Sequence, residues 1–470
     1  MCYTLPKIWQ GRVQKYWERV IPADFPISAS TFSTKFDSKE VALAVNKLED
    51  EIFTEDSIVK DIVPENTVVS NYIGTYNVEA TPGELTLLSP EKVTSDNIVV
   101  LHYNKESNTW ENVEDIQIKD GYVWGTLQSF SPIAIFEYKR DIVVMESVDG
   151  IPSGVSVVVA NGNSITVSED EDGKVTVNGC NKSIEINGET YIVGGTVDGT
   201  DVESTNVKVV NVKHSNIVSK VIAGSFFYNE EKAVRVGTVN VSMIDSTIGC
   251  LTGSSCAVRT DKVVYNISGS TMQWIGAGES WNDEKRHDVN KSNCSFASLG
   301  WAKEVVGNIV DSNIKSILFM SGNTGYFYVD KVDYTVKNTK VGYLITGGSN
   351  GGTNKATLLV DGCDVEYFQT TNRGFVNSSA SKFINSKIER LFVGGDSTDN
   401  TVTGTTKNIR IDINNGISGE YTLLNGVDGG QAITFEKSQE IIEAVKVSRN
   451  VKYCIDDSLI NILGTKLAIK

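Results

Sequence analysis

One short phrase recurs along the second half of this chain and limits what the chain can fold into. A small or hydroxyl residue, any residue, then an apolar one appears as Ser215-x-Ile217, Ser246-x-Ile248, Ser270-x-Met272 and Ser292-x-Cys294. It returns as Ser312-x-Ile314, Thr339-x-Val341, Cys363-x-Val365, Ser386-x-Ile388 and Asn415-x-Ile417. The intervals between these anchors are 31, 24, 22, 20, 27, 24, 23 and 29 residues, about 25 on average. Short β-rich runs such as "VNVSMI" and "VVYNI" precede them, and most lead into an apolar cluster and a glycine, as in "LTGS", "WIGAG" and "LFVGG". A unit this short cannot bury its own apolar face, so such a period means stacked units. Leucine-rich repeats need a stricter leucine ladder, and propeller blades need about 40 residues each. The reading is a predominantly all-β protein built on a right-handed parallel β-helix. Its inward Ile, Val, Leu and Phe would form one continuous core, and the anchor residue would bend the chain at a corner.

The flanks differ. Ile8, Trp9, Val13, Tyr16, Trp17 and Val20 fall at helical spacing, and Asp37 and Glu40 have capping-box spacing ahead of Val41, Leu43, Val45, Leu48 and Ile52. Residues 1–60 therefore read as an attachment segment of short helices, with Trp9, Tyr16 and Trp17 as candidates for docking on a partner. Residues 61–142 alternate apolar and polar positions and read as a small antiparallel β-domain, completing a helical and sandwich-like attachment region. Residues 143–205 are punctuated by Asn161-Gly162, Asp172-Gly173, Asn178-Gly179 and Asn187-Gly188, and read as a linking run of hairpins. The β-helix would occupy 206–430. Residues 431–470 leave the pattern and would cap its open strand edges, with Val445, Val447, Leu459 and Ile462 buried there.

Composition excludes several functions. Lys and Arg number 43 against 59 Asp and Glu, a formal charge of −16, which disfavours nucleic acid and anionic membrane faces. Seven cysteines without a Cys-x-x-Cys pair, and only His102, His214 and His287, argue against a zinc site; they suit free thiols in a reducing compartment. No metal and no cofactor is expected. The N-terminus shows no apolar core of a signal peptide, so export by one is not expected, and no apolar run reaches membrane-spanning length. "VGG" at 193–195 and 393–395 and "TGG" at 346–348 lack the lysine and helix of a phosphate loop and read as corner glycines. "SEDEDGK", 168–174, reads as a hairpin turn, because the twelfth position of a calcium loop begun at Asp170 falls on Asn181.

Chemistry, if present, would sit in the insertion "GAGESWNDEKRHD", 276–288. Glu279, Asp283 and Glu284 are candidate acids for glycoside cleavage, while Trp281 and His287 are candidates for glycan contact. A solvated loop explains the same charges, so an enzyme is the less favoured reading. A second acidic set, Asp361, Asp364 and Glu366 near Arg373, fits an outer strand face equally well.

The coils of the form x-V-x-x-S-x-I-x-x-I-x-G-G, as in "FINSKIERLFVGG", resemble the β-helical shafts of tailed-phage fibres and tailspikes. The N-terminal part, with its aromatic segment and "GTLQSFSPIAIFEY", resembles the attachment part of head fibres from crAss-like gut phages. That resemblance implies a homotrimer at the virion surface, assembled in the host bacterial cytoplasm. Its N-terminus would dock on capsid or tail proteins, and its shaft would reach host-surface polysaccharide. The alternatives are a polysaccharide-depolymerising tailspike and a non-catalytic glycan-binding adhesin.

Overall fold

Alternating β-branched residues and tight turns make strands, and strands are all that the computed structural model contains among its described residues. These are 67–392, apart from short breaks and the segment 279–299, together with isolated strands at 45–48 and between 406 and 469. The chain falls into two units, Met1–Asp141 and Ile142–Lys470.

In the first unit a five-stranded antiparallel sheet has the order Val45–Leu48, Thr67–Val78, Ser131–Arg140, Ile98–Asn104, Thr109–Asn112. A three-stranded sheet joins Leu85–Leu87, Tyr122–Thr126 and Ile116–Lys119. Ile73, Tyr76, Val100, Val123, Ile133 and Ile135 share one core. Asp120 and Gly121, both at positive φ, make the two-residue hairpin turn after Lys119. The helix expected over 37–53 is corrected in part: Val45–Leu48 is a strand, with Val45 opposite Val78. The run Val41-x-Leu43-x-Val45 has period two as well as a helical reading, and a neighbouring strand settled the ambiguity. The expected helix through Ile8 and Val20 lies outside the described residues.

In the second unit the chain passes alternately through two sheets, and each pass pairs parallel with the one before. The long-strand sheet includes Val202–Val210, Val234–Ile244, Val258–Ser268, Gly300–Val310, Phe327–Lys337, Gly352–Asp361 and Phe375–Ile384. The companion sheet includes Thr190–Val193, Val218–Ile222, Cys250–Thr252, Thr271–Gly278, Asn313–Gly322, Lys340–Ile345, Asp364–Gln369 and Lys387–Phe392. Two long, mostly parallel sheets enclosing one apolar core are compatible with a parallel β-helix. Inward columns such as Ile248, Met272, Ile314, Val341, Val365 and Ile388 are fully or almost fully buried.

The corner from the long-strand sheet to its companion takes two residues: Gly269-Ser270, Asp311-Ser312, Asn338-Thr339, Gly362-Cys363 and Asn385-Ser386. The first residue has φ between 46° and 65°, a left-handed conformation that Gly, Asn and Asp adopt at least cost. The second turns its side chain inward to do two jobs. The Ser312 hydroxyl donates to Val310 O at 2.7 Å and accepts the Ser270 N–H at 3.2 Å. Ser270 does the same for Ser246, Thr339 for Ser312 and Ser386 for Cys363, while the Cys363 thiol takes the role for Thr339. Each corner thus satisfies a buried backbone group of its neighbour.

This ladder corrects two anchors. Ser292 marks no pass, because Ser270 bonds directly to Ser312 and Thr271 pairs with Asn313; Ser292 itself lies outside the described residues. Val212, not Ser215, donates its N–H to the Ser246 hydroxyl, and Ser215 sits in the turn from His214 to Ile217. Asn415 lies outside the described residues. The linker reading of 143–205 is also corrected. Thr190–Val193 and Ser164–Glu169 already pair parallel with later passes, and Val158, Ile165 and Ile192 belong to the main core. Within it, the turn between Val175–Gly179 and Lys182–Ile186 is Cys180-Asn181, two residues beyond Asn178-Gly179. The hairpin at 168–174 is as read: Asp170 Oδ1 accepts the N–H groups of Asp172 and Lys174. At the other end, Ile433–Phe435 and Thr465–Ile469 pair antiparallel with Tyr421–Leu424 and Ser458–Ile462. Leu459 and Ile462 lie in that last pair, and Val445 and Val447 fall outside the described residues.

Two stability tests follow from these contacts. Ser312→Ala leaves the Ser270 N–H without its acceptor, while the Val310 carbonyl keeps the Gly269 N–H, and should cost about 1–3 kcal/mol. Ser312→Thr should cost clearly less, since Thr339 fills the same role; urea denaturation midpoints compare the two. In the core, Gly307 separates Tyr265 and Tyr334, whose ring centroids are 6.5 Å apart. The Tyr265 hydroxyl donates to Gly276 O at 2.7 Å, whereas the Tyr334 hydroxyl has no partner among the described residues. Tyr265→Phe should therefore destabilise and Tyr334→Phe should not, measured in the same denaturation series.

Candidate functional site

The two corners of each pass behave differently. The one just described takes two residues in five successive passes, against seven (211–217) in an earlier one, while the return corner varies from the four residues 323–326 to the twenty-one residues 279–299. A stacked architecture places its insertions on one edge, where they leave the core undisturbed. Glu279, Trp281, Asp283, Glu284 and His287 fall in the largest of these insertions, between the strands ending at Gly278 and beginning at Gly300. They lie outside the described residues, as do Trp9, Tyr16 and Trp17. Asp364 and Glu366 are exposed on either side of buried Val365, sharing one outer face as their spacing implied. Asp364 lies in register between Lys340 and Lys387, so an outer charged face accounts for it; Arg373 lies outside the described residues.

The companion sheet carries a ridge on its outer face. Tyr191, Lys220, Cys250, Trp274, Ile317, Tyr343 and Tyr367 occupy matched positions on seven successive strands. At ~4.8 Å per strand, the ridge runs about 29 Å along the stack. The following residue faces the core: Leu251, Ile275, Leu318, Leu344 and Phe368 are fully buried. Tyr343 and Tyr367 stack with ring centroids 4.2 Å apart and planes 4° from parallel. Lys220 Nζ lies 5.4 Å from both the Tyr191 and the Trp274 rings. These ring faces thus meet one another or a cation. Arg390 holds the next register position. The ridge escaped the sequence reading although a signal was present. Cys250, Trp274, Tyr343, Tyr367 and Arg390 each stand four residues after a corner Ser, Thr or Cys, and Ile317 stands five after, at a register shift.

The long-strand sheet presents polar and charged columns instead. Glu304 bridges Lys331 Nζ at 2.6 Å and Lys262 Nζ at 2.9 Å, in register across three strands. Hydrogen bonds from Lys331 and then Lys262 outweigh partial burial and hold the Glu304 carboxyl down at about 2. Arg235 pairs with Asp261 at 2.8 Å. In the first unit, Glu137 is almost fully buried, which raises its carboxyl. Hydrogen bonds from the Thr94 N–H, Asn71 Nδ2, the Thr94 hydroxyl and the Ser95 N–H overcome that and leave it below the ordinary range. It is a structural pin across the sheet.

Among the described residues no three His, Cys, Asp or Glu side chains gather as metal ligands would. Burial pushes the Cys363 thiol up, consistent with its corner role. No described helix is long and apolar enough to cross a membrane. No family model, no curated protein and no solved structure matches the chain.

The Glu304 bridge gives a pH test. Its carboxyl binds a proton less tightly folded than unfolded, so its contribution is present above about pH 4.5 and fades as pH falls through about 2. The stability difference between the protein and its Glu304→Gln variant should therefore shrink across that window, as read from denaturation midpoints at each pH.

Proposed function

We propose that this chain is a structural virion protein of a tailed phage: a homotrimeric fibre docked by its N-terminal segment and projecting a β-helical shaft toward host-surface glycans. The passes would wind right-handed, the hand that parallel crossover connections adopt almost without exception. The antiparallel strands that end each sheet would serve as the cap, since they stop further parallel addition at the edge.

The observation that carries the reading is the stack itself, with two opposed faces of different chemistry. Aromatic residues and Arg are the side chains most enriched at the energetic centres of protein interfaces. Large apolar side chains are seldom exposed among the described residues; Tyr343, at 38% exposure, is one of four. We assign the ridge to contact between copies of the chain, three ridges meeting along the shaft axis. The polar long-strand sheet then faces outward, toward the host surface.

Light scattering tests the assembly. The full chain should have the mass of a trimer, and Tyr343→Glu/Tyr367→Glu should shift it toward monomer with its far-UV spectrum unchanged. A monomeric wild-type chain would sink the fibre reading, whereas a trimer indifferent to both substitutions would remove only the ridge from it. Release of soluble oligosaccharide from a capsule panel, lost in Glu279→Gln and Asp283→Asn, would instead favour the depolymerising alternative.

A further inference from the structure

The formal charge of −16 conceals a face of the opposite sign. The seven long strands from Val202–Val210 to Phe375–Ile384 hold nine Lys or Arg and six Asp or Glu, all at exposed or half-exposed positions. The ion pairs described above tie three of the cations, Arg235, Lys262 and Lys331, to only two of the acids. Lys208, Lys303, Lys337, Lys355 and Lys382 are exposed and have no ion-pair partner among the described residues.

What binds such a face follows from its charge density and its polarity. A net three positive charges over seven strands, about 29 Å at ~4.8 Å each, is roughly one per 10 Å. Duplex DNA carries about one negative charge per 1.7 Å, so the face is far too dilute to neutralise it. A protein partner generally needs a desolvated apolar centre. Among the described residues of this sheet only Ile244 is a large exposed apolar side chain, while Val264, Trp301, Val306, Tyr328 and Leu359 are half-buried and scattered among polar positions. Between the lysines stand neutral hydrogen-bonding groups instead, including Asn240, Asn266, Asn308, Ser242 and Thr335. Asn240 Nδ2 donates to Asn206 Oδ1 at 3.0 Å, which leaves one amide proton and both carbonyls further bonding capacity.

We propose that the outward face of the long-strand sheet binds a sparsely charged anionic polysaccharide. The lysines meet its carboxylates or phosphates, and the amides and hydroxyls meet its sugar hydroxyls. This deepens the glycan contact proposed above and rests on that reading. The proposed contacts are to this sheet; Trp281 and His287, where sequence alone placed the glycan contacts, lie outside the described residues.

The test uses the full chain and hyaluronan, a linear polymer with one carboxylate per disaccharide, with neutral dextran and duplex DNA as comparisons. Binding at low ionic strength should be detected for hyaluronan, weaken as salt is added, and exceed that for dextran and DNA. Lys355→Glu/Lys382→Glu should lower hyaluronan affinity about tenfold or more. Lys315→Glu/Lys340→Glu makes the same change of net charge on exposed companion-sheet positions and should leave affinity nearly unchanged. Equal losses in both variants, equal binding of dextran, tighter binding of DNA, or no binding of hyaluronan would each overturn the proposal. Scattering mass is read separately, so a wild-type trimer that binds no hyaluronan counts against this face and not against the fibre.

Discussion

A buried backbone N–H at each two-residue corner must find an acceptor, and the second unit is organised around how it does so. The hydroxyl at the corner of one pass accepts the N–H of the pass before it and donates to a carbonyl two residues back along its own strand. An unpaired buried amide costs about 1–3 kcal/mol, comparable to a sizeable share of a domain's net stability. The bond also runs between passes, so it fixes which pass lies against which. Where a thiol replaces a hydroxyl, at Cys363, the contact lengthens to 3.5 Å but the arrangement persists.

The left-handed residue ahead of each hydroxyl makes that geometry possible, and its neighbours shape the choice among Gly, Asn and Asp. A side chain at Gly269 would collide with the Asp245 carboxylate, and one at Gly362 with the Asn338 amide. The glycines therefore sit beside corners that carry long side chains, while Asn338 Nδ2 donates to Asp311 Oδ1 where both are present. The same accommodation recurs in the core, where Gly307 makes room for Tyr334. Close stacking of parallel passes makes such local exchanges unavoidable, because every position has two neighbours at inter-strand distance.

Because the fixed corner, the core and the strand register are settled by these contacts, variation moves elsewhere. It enters at the return corners and at the outward side chains, which are free to differ without disturbing the stack. That freedom gives two faces of distinct chemistry on one scaffold: a ridge of stacked aromatics with one intercalated cation, and a polar sheet with surplus lysines. The average charge of the chain says nothing about either, since surplus acids on other segments outnumber the lysines on this one.

The period, the hydroxyl and the apolar residue two places on were legible in the sequence, because stacking repeats a requirement and repetition leaves a pattern. The Asn, Asp or Gly before the hydroxyl and the aromatic four places after it were written there as well, though they carry meaning only once the corner is known. Ser292 matches the phrase without forming a pass, and Ser215 stands three residues from the position that bonds to Ser246. Val45 satisfied a helical period and still became a strand opposite Val78. The sequence by itself determined that the chain is built from short stacked β units with an apolar interior, since that follows from local spacing. Which units are neighbours, and which side chains line up along the stack, was decided only by tertiary structure, because cross-strand hydrogen bonds and side-chain volumes act between residues some 20 to 42 positions apart.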